Sequence, residues 1–336
     1  MPFVSRVLVA LALGALLVLA WWLRQVGLLV FGAVIVAVIV SGAADWINRL
    51  AAMRHQLAVL VTVIVAMVLL SSLVWFIGVE VSDQVETLRD NFDDAIAKLR
   101  AWLGSQPLGS RVLSLWDRAT GDGLPWPRLA SAAGLTITVV LHLLLVLTAG
   151  IYLAAERRLY HDGLLRLFPV DRRDLADAAL RCAGQALAGW LRGQGIAMVF
   201  VGLFTWIGLA LVGAPLPVVL ALLAGLLEFV PFFGPLVAGV LAVVFAFTVG
   251  PETALYVAVV MLAVQQLEAY VVTPLAQRWT VRLPPVLGLV AVLVFGTLLG
   301  LGGVLLATPM MVVLMVLVRQ LYVEHYLESR PVDAGP

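Results

Sequence analysis

Two glutamates, Glu228 and Glu268, lie deep in apolar sequence and are the side chains best placed to carry chemistry. A carboxylate in apolar surroundings is costly, so it usually faces a polar cavity, where it takes up a proton or a cation or hydrogen-bonds a polar solute. Gln194 opens the apolar run before Glu228, and Gln265 precedes Glu268 on the same predicted helix. Buried amides can bind a polar ligand in the same way. Gln194, Glu228, Gln265 and Glu268 are therefore predicted to bind a substrate or an ion.

Each of these residues also has a purely structural explanation. A glutamate can sit near a membrane interface or pair with an arginine such as Arg192 or Arg278. An amide in a helix bundle can simply hydrogen-bond across to a neighbouring helix. The residue types alone leave both explanations open.

Proline and glycine interrupt the apolar sequence around these polar residues. Proline removes a backbone donor, and the half-helix ends that it leaves carry partial charges that can meet an ion or a polar solute. We predict six hinge or broken-helix positions, which are Pro231, Gly234, Pro235, Pro274, Gly300 and Pro309.

Motifs of enzymes and of metal centres are absent from the sequence. There is no H-E-x-x-H, no G-x-S-x-G, no G-x-x-x-x-G-K-[ST] and no cluster of cysteine and histidine. We therefore expect no enzyme, no catalytic residue, no bound metal and no cofactor. Transport driven by ATP through this chain alone is not expected either, so the energy would come from a gradient or from another subunit.

The composition indicates which elements position these residues. The 336 residues are 63% hydrophobic and 12% charged, and the mean hydropathy is +1.08. This apolar surplus is more than a soluble core could hide, so it must face a lipid bilayer, where long apolar runs are satisfied only as helices. The prediction is an all-α, polytopic transmembrane helix bundle. A net charge of +1 gives no reason to expect nucleic acid as a partner.

Polar stretches divide the chain into six predicted regions. Arginines in 45–56 and 156–192 mark those segments as cytoplasmic, so both termini are expected in the cytoplasm. The regions are transmembrane helices 1–3 in 1–79, an extracytoplasmic amphipathic section in 80–132, transmembrane helix 4 in 133–155, a cytoplasmic or interfacial amphipathic helix in 156–194, a transport core in 195–318 and a cytoplasmic tail in 319–336.

The transport core repeats one pattern twice, a span followed by two short apolar pieces. The spans are 196–212 and 254–272, and the short pieces are 218–227 with 236–249 and 286–299 with 304–318. Pieces of about 15 to 23 Å cannot comfortably cross an apolar layer of about 30 Å, so each pair is predicted to form a re-entrant or broken hairpin. The whole chain then has about six full spans and two such hairpins, about eight transmembrane elements, with the site between the hairpins.

The polar section after the third span contains an amphipathic helix. Val81, Val85, Leu88, Phe92, Ile96, Leu99 and Leu103 recur at intervals of three and four and form one apolar stripe. The stripe could pack on the chain's own membrane domain or on a neighbouring subunit. A third possibility is that it serves as the docking surface of a membrane scaffold that transports nothing.

The second half resembles the autoinducer-2 exporter (AI-2E) family of bacterial membrane transporters. The resemblance rests on four motifs, W-L-R-G-Q (190–194), L-E-F-V-P-F-F-G-P (227–235), Q-Q-L-E-A-Y-V-V-T-P (265–274) and L-G-L-G-G-V-L-L-A-T-P (299–309). Ala269 departs from it, because asparagine is expected after the glutamate. The resemblance implies a multi-pass protein of the bacterial inner membrane that forms homo-oligomers, with a pentamer as the suggested assembly.

The expected function follows from both arguments. The resemblance implies gradient-driven export of a small polar solute, such as an autoinducer-2-like signalling molecule, and some relatives resemble sodium or lithium/proton antiporters. The expected partners are thus the lipid bilayer, a small polar solute or a cation or proton, and further copies of the chain. Antiport would require at least one of Glu228 and Glu268 to titrate during the cycle.

Overall fold

The computed structural model describes residues 18–327, apart from 20, 52, 108, 110, 112, 115–117, 119–136, 232 and 277–283. Most of the predicted first span, Arg278 and the last part of the predicted tail lie outside the described residues.

All regular structure within the described residues is helical, which confirms the predicted all-α class. The described residues form ten α-helices: α1 (Arg24–Ala51), α2 (His55–Gly104), α3 (Ile137–Ala155), α4 (Arg157–Leu165), α5 (Arg173–Leu211), α6 (Pro217–Leu227), α7 (Phe233–Ala246), α8 (Pro251–Leu267), α9 (Thr273–Ala276) and α10 (Pro285–Val318). A 3₁₀ turn (Val170–Arg172) precedes α5, and π-helical segments follow α8 (Glu268–Val272) and α10 (Arg319–Leu327).

Six stretches of the described chain are long and apolar enough to cross a membrane, and two apolar helices are shorter. The long ones are Arg24–Ala51, His55–Ser72, Ile137–Ala155, Val170–Leu211, Pro251–Leu275 and Pro285–Val323. The short ones, α6 and α7, have 11 and 14 residues. At 1.5 Å per residue they measure about 16 and 21 Å, so neither crosses about 30 Å alone. Five of the six long stretches correspond to predicted spans, and α6 and α7 correspond to the short pieces of the first predicted hairpin. The sixth, Pro285–Val323, covers both short pieces of the second predicted hairpin.

Helix α2 is one continuous helix of 50 residues. The predicted third span and the predicted amphipathic stripe therefore belong to the same helix, about 75 Å long at 1.5 Å per residue. Glycine and proline disfavour a helix most strongly, and the interior of α2 contains one glycine, Gly78, and no proline.

The chain divides into two compact units. Unit 1 comprises the described residues of Met1–Ile64, Ile137–Ala188 and Leu283–Pro336. Unit 2 comprises those of Val65–Thr136 and Gly189–Arg282. In unit 1, α1 packs along α3 at small residues, and a Cβ atom at Gly150 would lie 2.5 Å from the Val36 side chain. Ala44, Ala58 and Ala154 are fully buried where these helices meet the start of α2.

Helix α10, also in unit 1, is broken at Gly300. The backbone there has φ 68° and ψ −149°, which no helix contains. Ala291 and Val292 pack against Ala307 across the break. A straight helix would separate residues 291 and 307 by about 24 Å, so the two halves of α10 fold back on each other. The predicted broken hairpin is confirmed here, while its re-entrance into the membrane stays a prediction.

Unit 2 contains an extensive hydrophobic core. Helices α5 to α8 contribute most of it, with Leu209, Phe245 and Val257 completely buried. Helices α5 and α6 approach closely, because a Cβ atom at Gly225 would lie 2.8 Å from the carbonyl oxygen of Met198. This packing holds the short helices α6 and α7 against two longer ones.

Candidate functional site

The turn between α6 and α7 contains the first predicted glutamate, and its backbone is hydrogen-bonded. Helix α6 ends at Leu227, and the amide of Glu228 donates to the Ala224 carbonyl at 3.0 Å. At the other end, the Gly234 amide donates to the Val230 carbonyl at 2.9 Å. A Cβ atom at Gly234 would lie only 1.8 Å from the Leu227 carbonyl oxygen. The tight turn therefore requires glycine at 234 for lack of space.

Helix α5 holds this turn by two contacts one helical turn apart. The Gln194 Nε2 atom donates a hydrogen bond to the backbone carbonyl of Glu228 at 2.6 Å. The Trp190 ring meets the Phe229 ring edge to face, with centroids 5.6 Å apart, a favoured aromatic geometry. Gln194 therefore positions the backbone of Glu228 and leaves its carboxyl group available.

The carboxyl group of Glu228 is buried, with only 6% of the residue exposed. Its Oε2 atom has no hydrogen-bond partner. The Gln265 side chain of α8 lies beside this carboxyl group, and the Glu268 carboxylate is close enough to interact with it electrostatically. The Gln265 Nε2 atom is likewise buried; it is near enough to act on the Glu228 carboxyl group as a donor, but it makes no hydrogen bond of regular geometry within 3.5 Å. A buried acceptor and a buried donor thus stand side by side with unused hydrogen-bonding capacity.

Glu268 lies at the point where α8 changes from an α-helix to a π-helical segment. Pro274 lacks a backbone N–H and its ring crowds the preceding turn, so a regular α-helix cannot continue through it. The wider π turn accommodates this, and such turns recur at functional sites. The Thr273 hydroxyl donates to Glu268 Oε1 at 2.9 Å, which orients the half-buried carboxylate.

The four predicted binding residues are therefore brought together in unit 2. The described groups that act on the Glu228 carboxyl are Gln265 and Glu268 rather than an arginine, and Arg278 lies outside the described residues. Two carboxylates with a nearby amide can hold a proton, a monovalent cation or the hydroxyl groups of a polar solute. Among the described residues, no group of three or more histidine, cysteine or acidic side chains could hold a metal ion.

The end of α2 packs on the α6–α7 hairpin in the same unit. Ala95, Ile96 and Leu99 join the core of unit 2, and Trp102 stacks at an angle on Phe247 with centroids 5.3 Å apart. Ile96 and Leu99 of the predicted apolar stripe thus pack on the chain's own helices. This confirms one of the two packing alternatives for these residues.

Two polar side chains of α2 meet the outer ends of that hairpin. Lys98 Nζ donates to the Thr248 carbonyl, just beyond α7, at 3.1 Å. The Gln84 Oε1 atom accepts from the Val219 amide, in the first turn of α6, at 3.2 Å. The Thr248 carbonyl after α7 and the Val219 amide in the first turn of α6 thus receive hydrogen-bond partners from α2. These contacts have no signal in the local sequence.

The remaining hinge predictions divide between the units. Pro231, Gly234, Pro235 and Pro274 lie in unit 2, beside the turn and the π-helical segment described above. Gly300 and Pro309 lie in unit 1, where Gly300 breaks α10 and Pro309 is buried within it. Thr273 was not among the predicted site residues, because its contact spans five positions and only a π turn brings it to Glu268.

Comparison with known proteins gives consistent results. Residues 9–322 match the protein family described as AI-2E family transporter. A Mycobacterium tuberculosis protein named "Putative transport protein MT0215" is 28% identical over 318 residues, 90% of this chain and 85% of that protein. "Putative transport protein YrrI" of Bacillus subtilis is 28% identical over 179 residues, 53% of this chain and 49% of that protein.

A third relative, "Putative permease PerM" of Escherichia coli K12, is 28% identical over 211 residues, 61% of this chain and 57% of that protein. The chain thus spans only about half the length of the Bacillus relative and 57% of the permease.

Proposed function

The chain belongs to the AI-2E family of transporters and is a multi-pass membrane protein, and from this premise we propose that it exports a small polar solute. An autoinducer-2-like signalling molecule is the kind of solute meant. Glu228, Gln265 and Glu268 form its binding site in unit 2, Gln194 positions the backbone of Glu228 in that site, and a gradient drives the movement.

One observation carries the proposal, the unused hydrogen-bonding capacity beside Glu228. The Oε2 atom of Glu228 is a buried acceptor, and Gln265 Nε2 is a buried donor. Buried polar groups are normally satisfied, and one left without a partner costs about 1 to 3 kcal/mol. A hydroxyl group donates and accepts at once, so it can donate to the carboxylate and accept from the amide. A solute rich in hydroxyl groups therefore complements this pair.

The broken helices support the proposal in a second way. The α6–α7 turn and the π-helical segment after α8 place irregular backbone next to both glutamates. In membrane transporters, irregular backbone is tolerated where it is covered by protein or lines a water-filled cavity. On this account the hairpins are re-entrant and the transport core comprises 195–318.

The test uses two neighbouring glutamines that differ in burial. Gln265 is half-buried beside Glu228, whereas Gln266 is exposed. We expect Gln265→Leu to slow export of hydroxylated solutes from proteoliposomes at least about tenfold, a change of about 1.4 kcal/mol. Gln266→Leu serves as the matched control and should export at the unmodified rate. Equal rates in both variants would contradict the proposed site.

Sodium or lithium/proton antiport is the second candidate function, and the electrostatic interaction of Glu228 with Glu268 favours it. Two carboxylates that share a site disfavour double ionisation, so they can exchange a proton for a monovalent cation. Glu268→Gln should then abolish pH-dependent sodium flux in proteoliposomes. An unchanged sodium flux in this variant would rule out antiport through these carboxylates.

A scaffold that transports nothing is the least supported alternative. Its docking surface would be the apolar stripe of α2, but Ile96 and Leu99 of that stripe are already packed in unit 2. We further propose the bacterial inner membrane as the location, with both termini cytoplasmic, and a homo-oligomer, with a pentamer as the assembly to test. The positive-inside rule and the resemblance to the family support these assignments.

A further inference from the structure

Unit 1 contains a cleft of about 460 Å³ that the transport proposal does not use. It lies where the chain passes from α1 to α2 and from α3 to α4. Its lining consists of Arg54, His55, Gln56, Ala155, Glu156, Arg157, Arg158 and Leu159. The two turns are joined by a hydrogen bond of 3.0 Å from His55 Nε2 to the Ala154 carbonyl.

The ends of three candidate spans define the level of this cleft. Helix α1 ends at Ala51, α2 begins at His55 and α3 ends at Ala155. The ends of apolar spans mark the boundary between hydrocarbon and headgroups. The cleft therefore opens at the depth of the phospholipid headgroups, on the face that the arginines assign to the cytoplasm.

The backbone of the cleft offers hydrogen-bond donors. Its lining includes the first residues of α2 (His55 and Gln56) and of α4 (Arg157 and Arg158). Amides in the first turn of a helix have no intrahelical acceptor, and the positive end of the helix dipole lies there. The residue before α4, Glu156, makes no side-chain capping bond to these amides. The N-termini of α2 and α4 therefore both favour the binding of an anion in this cleft.

The side chains add a small net positive charge. Arg54, Arg157 and Arg158 line the cleft together with Glu156. Arg157 is paired with Asp45 at 3.1 Å. Within the described part of the chain, neither Arg54 nor Arg158 makes an ion pair. Three guanidinium groups against two carboxylates leave one positive charge, which matches the single negative charge of a phosphodiester.

We propose that this cleft binds the phosphodiester group of an anionic phospholipid headgroup, with Arg54 and Arg158 as its principal cationic ligands. Guanidinium groups suit this role, because their planar fork matches phosphate oxygens. A zwitterionic headgroup fits less well, since its cationic amine would meet the same arginines. Basic pockets between transmembrane helices on the cytoplasmic side recognise anionic headgroups by this chemistry.

Native mass spectrometry of the full-length protein in detergent tests the proposal. The probes are phosphatidylglycerol and phosphatidylcholine with identical acyl chains, and inorganic phosphate. The cleft variant is Arg54→Gln with Arg158→Gln. The matched control is Arg49→Gln with Arg166→Gln, which removes two exposed arginines from the same two segments that do not line the cleft.

We expect the unmodified protein and the control to retain phosphatidylglycerol over phosphatidylcholine, and the cleft variant to bind it about tenfold more weakly. Equal losses in the cleft variant and the control would overturn the site, because the attraction would then be general. Inorganic phosphate that displaces the lipid at equimolar concentration would overturn the lipid assignment. If the cleft variant does not fold, the single variants Arg158→Gln and Arg166→Gln are compared instead. Weaker binding of phosphatidylglycerol by Arg158→Gln alone supports the site, and equal losses in both overturn it.

Discussion

The two broken hairpins of this protein differ in what surrounds the break. Between α6 and α7 the break carries the buried Glu228, whose backbone is held by Gln194. In α10 the break at Gly300 lies in a stretch, Pro285–Val318, that contains no charged residue. Small apolar side chains such as Ala291 and Ala307 pack across it. An interrupted helix is therefore not in itself a binding site, and it is the polar neighbours that distinguish the first hairpin from the second.

The glycines at the two breaks are required for different reasons, one steric and one conformational. There is no space for a side chain at Gly234, because an added Cβ atom would lie 1.8 Å from a backbone oxygen. Gly300 has open space around its Cβ position but a φ of 68°. Substitutions at the two glycines can therefore separate steric crowding from backbone conformation.

The largest effect is expected from Gly234→Ala, because backbone must move to admit the methyl group. We expect the free energy of unfolding to fall by about 3 kcal/mol, at the upper end of overpacking costs. Thermal unfolding of the purified protein in detergent measures it. Gly239→Ala in the same helix α7 is the control, since nothing lies within 4 Å of its Cβ position. It should be neutral or stabilising by up to about 1 kcal/mol. Similar losses in both variants would show that the turn is not sterically closed.

Gly300→Ala should have the next largest effect, about 2 kcal/mol, since its backbone conformation is essentially restricted to glycine. The cause is conformational alone, so Gly300→Ala and Gly300→Ser should destabilise the protein equally in thermal unfolding. A much larger loss for serine would indicate crowding instead. Solute binding in unit 2 should keep its affinity in whatever fraction remains folded.

The contrast between these hairpins shows how far the sequence could predict the structure. Apolar runs and prolines were sufficient to predict the short elements and both breaks. The depth of Glu228 and Glu268 in apolar sequence singled them out, and their binding role stays a prediction. The uninterrupted α2 was not anticipated, because the change from apolar to acidic residues near Glu80 looks like a boundary but does not disturb helical hydrogen bonding. Contacts such as Lys98 with Thr248 join residues 150 positions apart, and no local pattern encodes them.

Gln194→Leu should destabilise the protein by about 1 kcal/mol, because the Glu228 carbonyl loses the donor that holds it. The same variant should slow transport, since the Glu228 backbone is no longer fixed by α5. Thermal unfolding and solute flux are measured on the same preparation. A variant with lower stability and an unchanged transport rate would mean that Gln194 joins helices without positioning the site.

A smaller effect, about 0.5 kcal/mol at the low end for a single hydrogen bond, is expected from Thr273→Val. The hydroxyl donor to Glu268 Oε1 is lost while the volume is nearly kept. Thr273→Ser retains the donor and should restore both stability and transport in the same assays. If serine behaves like valine, the methyl group matters rather than the hydrogen bond, and the proposed orientation of Glu268 is wrong.

The central claim is that the buried carboxylate of Glu228 makes the first hairpin a transport site, and Glu228→Gln tests it most directly. Stability should be unchanged or slightly higher, because the amide keeps nearly the same volume and cannot carry a charge, which is costly to bury. Solute export from proteoliposomes should fall at least about tenfold, while Glu252→Gln, an exposed glutamate of the same unit, should export normally. A folded Glu228→Gln protein that exports at the unmodified rate would contradict the account.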